Sequence, residues 1–121
     1  MPRPPVVLVV EDEFLIAMDL ECLLERHGWR VLGPAATVAA ALRLLEQSEE
    51  PPDAALLDVN LQDELVTPVA AALRARGVPF VLASAYERVD LLVPALAGVP
   101  NLGKPTDERR LLAALAQAVA P

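Results

Sequence analysis

Four polar groups in this chain each stand directly behind a run that reads as a strand. Glu11-Asp12-Glu13 follows Val6-Val7-Leu8-Val9-Val10, and Asp58 follows Ala54-Ala55-Leu56-Leu57. Ser84 follows the run from Val78 to Ala83, and Lys104 follows the run from Val99 to Gly103. Carboxylates gathered in one place repel one another, and at neutral pH such a group calls for a cation. Hard oxygen ligands from few side chains, with room left for water, suit Mg2+ better than zinc. The one histidine and the one cysteine, His27 and Cys22, belong to a single predicted helix, so a zinc site has almost nothing to use. A cation together with the Lys104 ammonium makes such a pocket attractive to a phosphoryl group. Asp58 is then the nucleophile that forms an aspartyl-phosphate. Ser84 donates a hydrogen bond to a phosphoryl oxygen, and the positive charges offset the charge of the transferring group.

These residues are far apart in sequence, so the chemistry depends on a fold that gathers them. The β-branched run Val6 to Val10 reads as a strand covered on both faces. From Phe14 to His27, Ile16, Leu20, Leu23 and Leu24 share one side and Asp19, Glu21, Glu25 and Arg26 the other, a helix that Gly28 ends. Trp29 to Leu32 reads as a second strand closed by Gly33-Pro34. Val38, Leu42 and Leu45 carry a second helix, which stops at Pro51-Pro52. Ala54 to Leu57 is the third strand. A helix over Thr67 to Arg76 follows, with Pro68 tolerated in its first turn. Val78 to Ala83 is the fourth strand. The helix from Glu87 to Ala97 should be short or bent, because Pro94 removes a donor and clashes one turn back. Val99 to Gly103 is a weak fifth strand, and Leu111, Leu112, Leu115 and Val119 line a last helix capped by Thr106.

Strand and helix thus alternate five times. The expected α/β fold is a doubly wound five-stranded parallel sheet, order 2-1-3-4-5, with helices on both faces. In such a sheet the ligand crevice opens at the carboxyl ends of the strands, where all four polar groups fall. Taken singly, each has a plainer role. A strand-end Asp is a turn former or helix cap, an acidic triplet complements a helix dipole, Ser84 is an N-cap, and a Lys before Pro is a solvated loop charge. Their coincidence on one edge favours the site. His27 is read as a helix-end or surface residue and Cys22 as a small packed side chain.

Bulk composition narrows the function further. At 121 residues the chain is one domain, with a core of Val, Leu and Ala because 55% of residues are hydrophobic and only 3% aromatic. Twelve prolines against five glycines indicate short, stiff connections. Seventeen acidic against ten basic residues leave a net charge of −7, which repels phosphate backbones and argues against direct nucleic-acid binding. A lone cysteine forms no internal disulfide, which fits a reducing cytosol. The N-terminal apolar run is too short for a secretory signal or a membrane span, so a soluble, cytoplasmic chain is expected. The initiator Met and early first strand suggest a natural start and no effector domain is expected after the last helix, while a domain cut from a longer protein is the equal alternative.

The stretches VVLVVEDE, LLDVNL, FVLASA and GKP, in this order and spacing, resemble the receiver domain of bacterial two-component response regulators over essentially the whole length. The resemblance implies a flavodoxin-like receiver across residues 1–121, with Asp58 taking phosphate from a histidine kinase or phosphotransfer protein. It implies Mg2+ bound by Asp12, Asp58 and the backbone carbonyl of Asn60, with Glu11 acting through water. Ser84 and Lys104 would contact the phosphoryl group, and the bond before Pro105 would be cis. Such a domain catalyses only its own phosphorylation and dephosphorylation, and signals by protein contact or phosphorelay. Two features depart from the family. The aromatic switch residue usual three positions before the lysine is Asn101 here. The stretch VPFVLASAYE is also similar to an atypical subgroup with a Pro-Phe-x-Phe-Ala-Thr-Gly-Tyr pattern, in which Tyr86 takes up part of the missing ring's work. Ser84, Tyr86 and Asn101 are therefore the expected switch residues.

Two competing readings stand beside this one. A docking module of the same fold that is never phosphorylated has no need to keep Asp58, Ser84 and Lys104 in a crevice. A small Mg2+-dependent phosphohydrolase needs a second acid/base carboxylate and a cap. Asn60 stands where that acid would be convenient, and 121 residues leave no cap.

Overall fold

A computed structural model describes residues 3–120 of the chain, so Met1 lies outside the described residues. The chain order is β1 (Val6–Val10), α1 (Phe14–Arg26), β2 (Arg30–Ala35), α2 (Val38–Gln47) and β3 (Ala54–Leu57). A small antiparallel pair, β4 (Asn60–Leu61) and β5 (Glu64–Leu65), leads into α3 (Thr67–Ala75). Then come β6 (Phe80–Leu82), the short α4 (Val89–Leu92), a 3-10 turn at Pro94–Leu96, and α5 (Glu108–Ala118). The main sheet is parallel with order β2-β1-β3-β6.

Because strand side chains alternate between faces, the central strands feed two cores. Val7, Val9, Leu56 and Val81 pack with Leu20 and Leu24 of α1 and Leu111 and Leu115 of α5. Leu8, Val10, Leu57 and Leu82 meet Val38, Ala41 and Leu45 of α2 and Val69 and Leu73 of α3 on the other side. β1 and β3 are consequently buried almost throughout, as their unbroken apolar runs require.

Four local readings need correction. The fifth strand is reduced to a single bridge, Leu82 to Asn101, held by Leu82 N–H to the Pro100 carbonyl and Leu102 N–H to the Leu82 carbonyl, both 2.8 Å. Pro100 has no N–H to carry a longer ladder. β2 does not stop before Gly33-Pro34 but runs through it to Ala35. It is an edge strand, where a missing donor costs little, and its pairing shifts between Leu8–Leu32 and Val10–Ala35. Gly33 has φ +95, and a Cβ there would lie 2.8 Å from the Ala35 nitrogen, so the bulge admits only glycine. The last helix is capped by Asp107, whose carboxylate accepts from Arg110 N–H at 2.9 Å, while Thr106 Oγ1 donates to the Gly103 carbonyl. Cys22 is exposed rather than packed. His27 is exposed at the end of α1, its Nε2 3.4 Å from Glu108 Oε1.

No helix among the described residues is long and apolar enough to cross a membrane. The expected weakness near Pro94 is present, since α4 spans four residues and Val93 leaves helical geometry at φ −135. A helix of one turn has few internal hydrogen bonds to lose on opening. Amide hydrogen exchange at Leu92 and Val93 should be at least about a hundredfold less protected than at Leu20 and Leu24. Equal protection would show that the proline does not loosen this segment.

Candidate functional site

The sheet itself delivers the acidic residues. Glu11 N–H still bonds the Ala35 carbonyl of β2 at 2.9 Å, and Asp58 N–H bonds the Val10 carbonyl of β1 at 2.9 Å. Both carboxylates are thus fixed by main-chain ladders one residue beyond their strands. On the far side of β3, Ala83 N–H bonds the Leu57 carbonyl at 2.9 Å, which sets Ala83 level with Asp58 and Ser84 one residue beyond. Among the described residues, the buried polar side chains are Glu11 at 3%, Asp58 at 8% and Ser84 at 2% exposure. Buried polar groups require partners, and these three sit together on one edge.

Lys104 reaches in from the loop before α5. Its Nζ lies 2.7 Å from Glu11 Oε1 and 3.0 Å from Asp58 Oδ2. Asp58 Oδ1 accepts from the Val59 N–H at 2.8 Å, and Glu11 Oε2 accepts from the Glu13 N–H at 3.1 Å. Burial raises the Glu11 pKa above its ordinary value. The charge of Asp58 adds to that, while Lys104 and the Glu13 N–H pull the other way. For Lys104 burial works downward, but hydrogen bonds to Glu11 and Asp58 outweigh it and its pKa ends raised.

Oxygens of Glu11, Asp12 and Asp58 lie within 4.8 Å of one another. Unit charges about 5 Å apart interact by about 3 kcal/mol at an effective dielectric near 20. Three carboxylates facing one ammonium therefore leave a pocket that attracts a hard cation, and all the donors are oxygens. Asn60 also lines this cleft, and its side-chain Oδ1 is buried without a hydrogen-bond partner among the described residues. The cleft in front of Asp58 encloses about 380 Å3 between Asp12, Asn60, Ser84, Tyr86 and Lys104.

Ser84 Oγ accepts from the Tyr86 N–H at 3.1 Å, so its own proton is free to point into the cleft. The Tyr86 side chain is half-exposed on the rim. Asn101 is joined by hydrogen bonds to the loop that carries Ser84 and Tyr86. The Lys104-Pro105 peptide is cis, as the resemblance implies. Every predicted site residue falls in or beside this one cleft. The sequence reading missed Gln62 and Asp63, which also line it. They form the two-residue loop of the β4–β5 hairpin, with φ +50 and +68. A two-residue polar step between short apolar runs was the available signal, but hairpin loops at such φ values normally advertise themselves with glycine or asparagine.

Comparison with known proteins agrees with this geometry. The response regulator receiver domain family matches residues 7–116. The sensory transduction protein LytT of Bacillus cereus is 36% identical over 112 residues, covering 90% of this chain and 45% of that protein. The phyllosphere-induced regulator PhyR of Methylorubrum extorquens is 38% identical over 82 residues, 66% of this chain and 30% of PhyR. The chain thus spans half or less of these relatives. Among solved structures, SdrG of Pseudomonas melonis Fr1 in its BeF3-activated conformation is 40% identical, with TM-score 0.79 over 99% of this chain and 100% of SdrG. The PhyR receiver domain of Erythrobacter litoralis gives TM-score 0.84 at 28% identity over 98% of this chain and 95% of that one. The family match spans most of the doubly wound sheet described above, and the chain belongs to the response regulator receiver domain family.

Proposed function

We propose that this receiver is a working phosphoacceptor, with Asp58 taking a phosphoryl group from a phosphohistidine on a histidine kinase or phosphotransfer protein. The observation that carries the reading is the placement of Lys104 Nζ 3.0 Å from Asp58 Oδ2 at the mouth of a cleft that also holds Ser84. An Asp58 oxygen forms the new bond to phosphorus as the donor's phosphorus–nitrogen bond breaks. Lys104, already pointed at this carboxylate, follows the charge onto the phosphoryl oxygens, and Ser84 donates its free hydroxyl proton to another. Asp12, Asp58 and the backbone carbonyl of Asn60, with Glu11 through water, would hold Mg2+, and the oxygen-only donor set fits it. When bound, Mg2+ supplies neutralising charge to the phosphoryl oxygens. That SdrG, 40% identical over the whole chain, adopts a BeF3-activated conformation supports a responsive pocket here. Tyr86 on the rim reports the change, and the output is protein contact or phosphorelay in the cytoplasm rather than nucleic-acid binding, given the charge of −7.

Three measurements test this reading. Mg2+ at about a hundred times its Kd should stabilise the fold by about 2.7 kcal/mol, or about 10 °C in thermal midpoint. Asp12→Asn should raise the metal-free midpoint and erase that response; a midpoint indifferent to Mg2+ in the wild type removes the metal from the reading. Incubation with a small acyl phosphate should add one phosphoryl group by intact mass, only with Mg2+. Asp58→Asn should abolish labelling and Lys104→Met should slow it about a hundredfold. A chain that stays unlabelled is a docking module instead. The Tyr86 ring resonances should shift when a beryllofluoride mimic is added with Mg2+, and unchanged resonances would take Tyr86 out of the switch.

A further inference from the structure

Asn101 stands at the single bridge to Leu82, where the fifth strand would have been. Its side chain turns back over the loop that follows β6. Oδ1 accepts from Ser84 N–H at 3.0 Å and from Gly103 N–H at 3.1 Å. Nδ2 donates to the Tyr86 carbonyl at 2.8 Å. The surroundings fix this orientation, because the reversed amide would set NH2 against two N–H donors and its oxygen against a carbonyl. Among the described residues, neither Ser84 N–H nor Gly103 N–H has a main-chain acceptor. The amide of Asn101 is what satisfies both.

All three partners are backbone groups of the phosphoryl-binding machinery or its immediate neighbours. Ser84 carries the hydroxyl, Tyr86 closes the turn by donating its N–H to Ser84 Oγ, and Gly103 precedes Lys104. Ser84 and Lys104 lie on two separate loops, and the bridge at Leu82 is the main-chain pairing between their strands. We infer that Asn101 is a positioning residue whose side-chain amide locks the Ser84 turn to the Lys104 loop, so that hydroxyl and amine face Asp58 as one frame. This rests on the phosphoacceptor reading above. The clamp acts by directional hydrogen bonds, with no ring to pack, so it tolerates little displacement. Misplacement of a catalytic group by about 1 Å can cost about a hundredfold in rate.

The test is the rate of Mg2+-dependent labelling by a small acyl phosphate, in the full chain. Asn101→Leu keeps the branched shape and heavy-atom count and removes every polar side-chain atom; it should lower the rate about ten- to thirtyfold. Asn101→Asp keeps the acceptor for Ser84 and Gly103 but replaces the donor to Tyr86 with an oxygen facing a carbonyl, so it should lose about three- to tenfold, less than Asn101→Leu. In a Ser84→Ala background the loss from Asn101→Leu should shrink to about threefold, because the hydroxyl it positions is gone. A merely structural role would give equal losses in both backgrounds, and no difference between Leu and Asp beyond their difference in stability. If Asn101→Leu does not fold, Asn101→Ala takes its place in the same cycle, and slowed hydrogen exchange at Ser84 and Gly103 in the wild type is the parallel readout. Wild-type labelling with a wild-type rate in the Leu or Ala variant, or additive losses in the cycle, overturns the clamp alone. Absence of labelling in the wild type overturns the clamp and the phosphoacceptor reading together.

Discussion

The ammonium of Lys104 between Glu11 and Asp58 is the contact on which the site's architecture turns, since it is where three separate chain segments are electrically joined. Two carboxylates this deeply buried are costly unless they are paired and hydrogen-bonded. Here each has a main-chain donor on one oxygen and the lysine on the other. Removing Lys104 would leave two close negative charges with only backbone dipoles to hold them, and Asp12 adds a third on the rim. The same lysine leaves the count of charges unbalanced, and that imbalance is what makes the cleft receptive. A neutral pocket would be more stable and would have no reason to take a cation.

The apolar sheet gives this arrangement its precision. The ladder bonds at Glu11 and Asp58 fix the acids to the stiffness of a parallel sheet packed on both faces, and the bond at Ala83 ends one residue short of Ser84. Sites built on rigid elements hold geometry better than sites built on loops. Ser84, Lys104 and Tyr86 are the exceptions, because they reach the cleft from loops and depend on local side-chain bonds instead. On the proposed phosphoacceptor role, the fixed half would hold the acceptor Asp58, and the adjustable half the groups that follow a transferred charge.

What was readable in the sequence follows the same division. The strand ends were legible because an apolar run that stops at a carboxylate marks both the strand and its functional edge, as in LLD at 56–58. Helix faces were legible from period, and Pro94 announced its own break. The readings that failed depended on which backbone groups find partners. Pro100 and Asn101 keep the fifth strand to one bridge, and Asp107 outcompetes Thr106 as the cap because Thr106 is already bonded to Gly103. The bulge at Gly33 and the Gln62-Asp63 turn depend on φ values that side-chain type only weakly signals. Cys22 is exposed because its side of α1 faces away from the sheet, on the same helix whose Leu20 and Leu24 are buried.

The departure at residue 101 shows how one replacement changes the physics of a connection without removing it. An aromatic ring at a strand end communicates by volume, moving into or out of a space that a neighbour vacates. An amide communicates by which atoms it bonds, and Asn101 uses donor and acceptor at once across the two loops. Packing contacts weaken gradually with displacement, whereas hydrogen bonds weaken steeply once angles fall. On the clamp inferred above, the two loops would be coupled through a nearly all-or-none contact, and Tyr86, tied through its carbonyl with its side chain half-exposed on the rim, would carry that state to the surface.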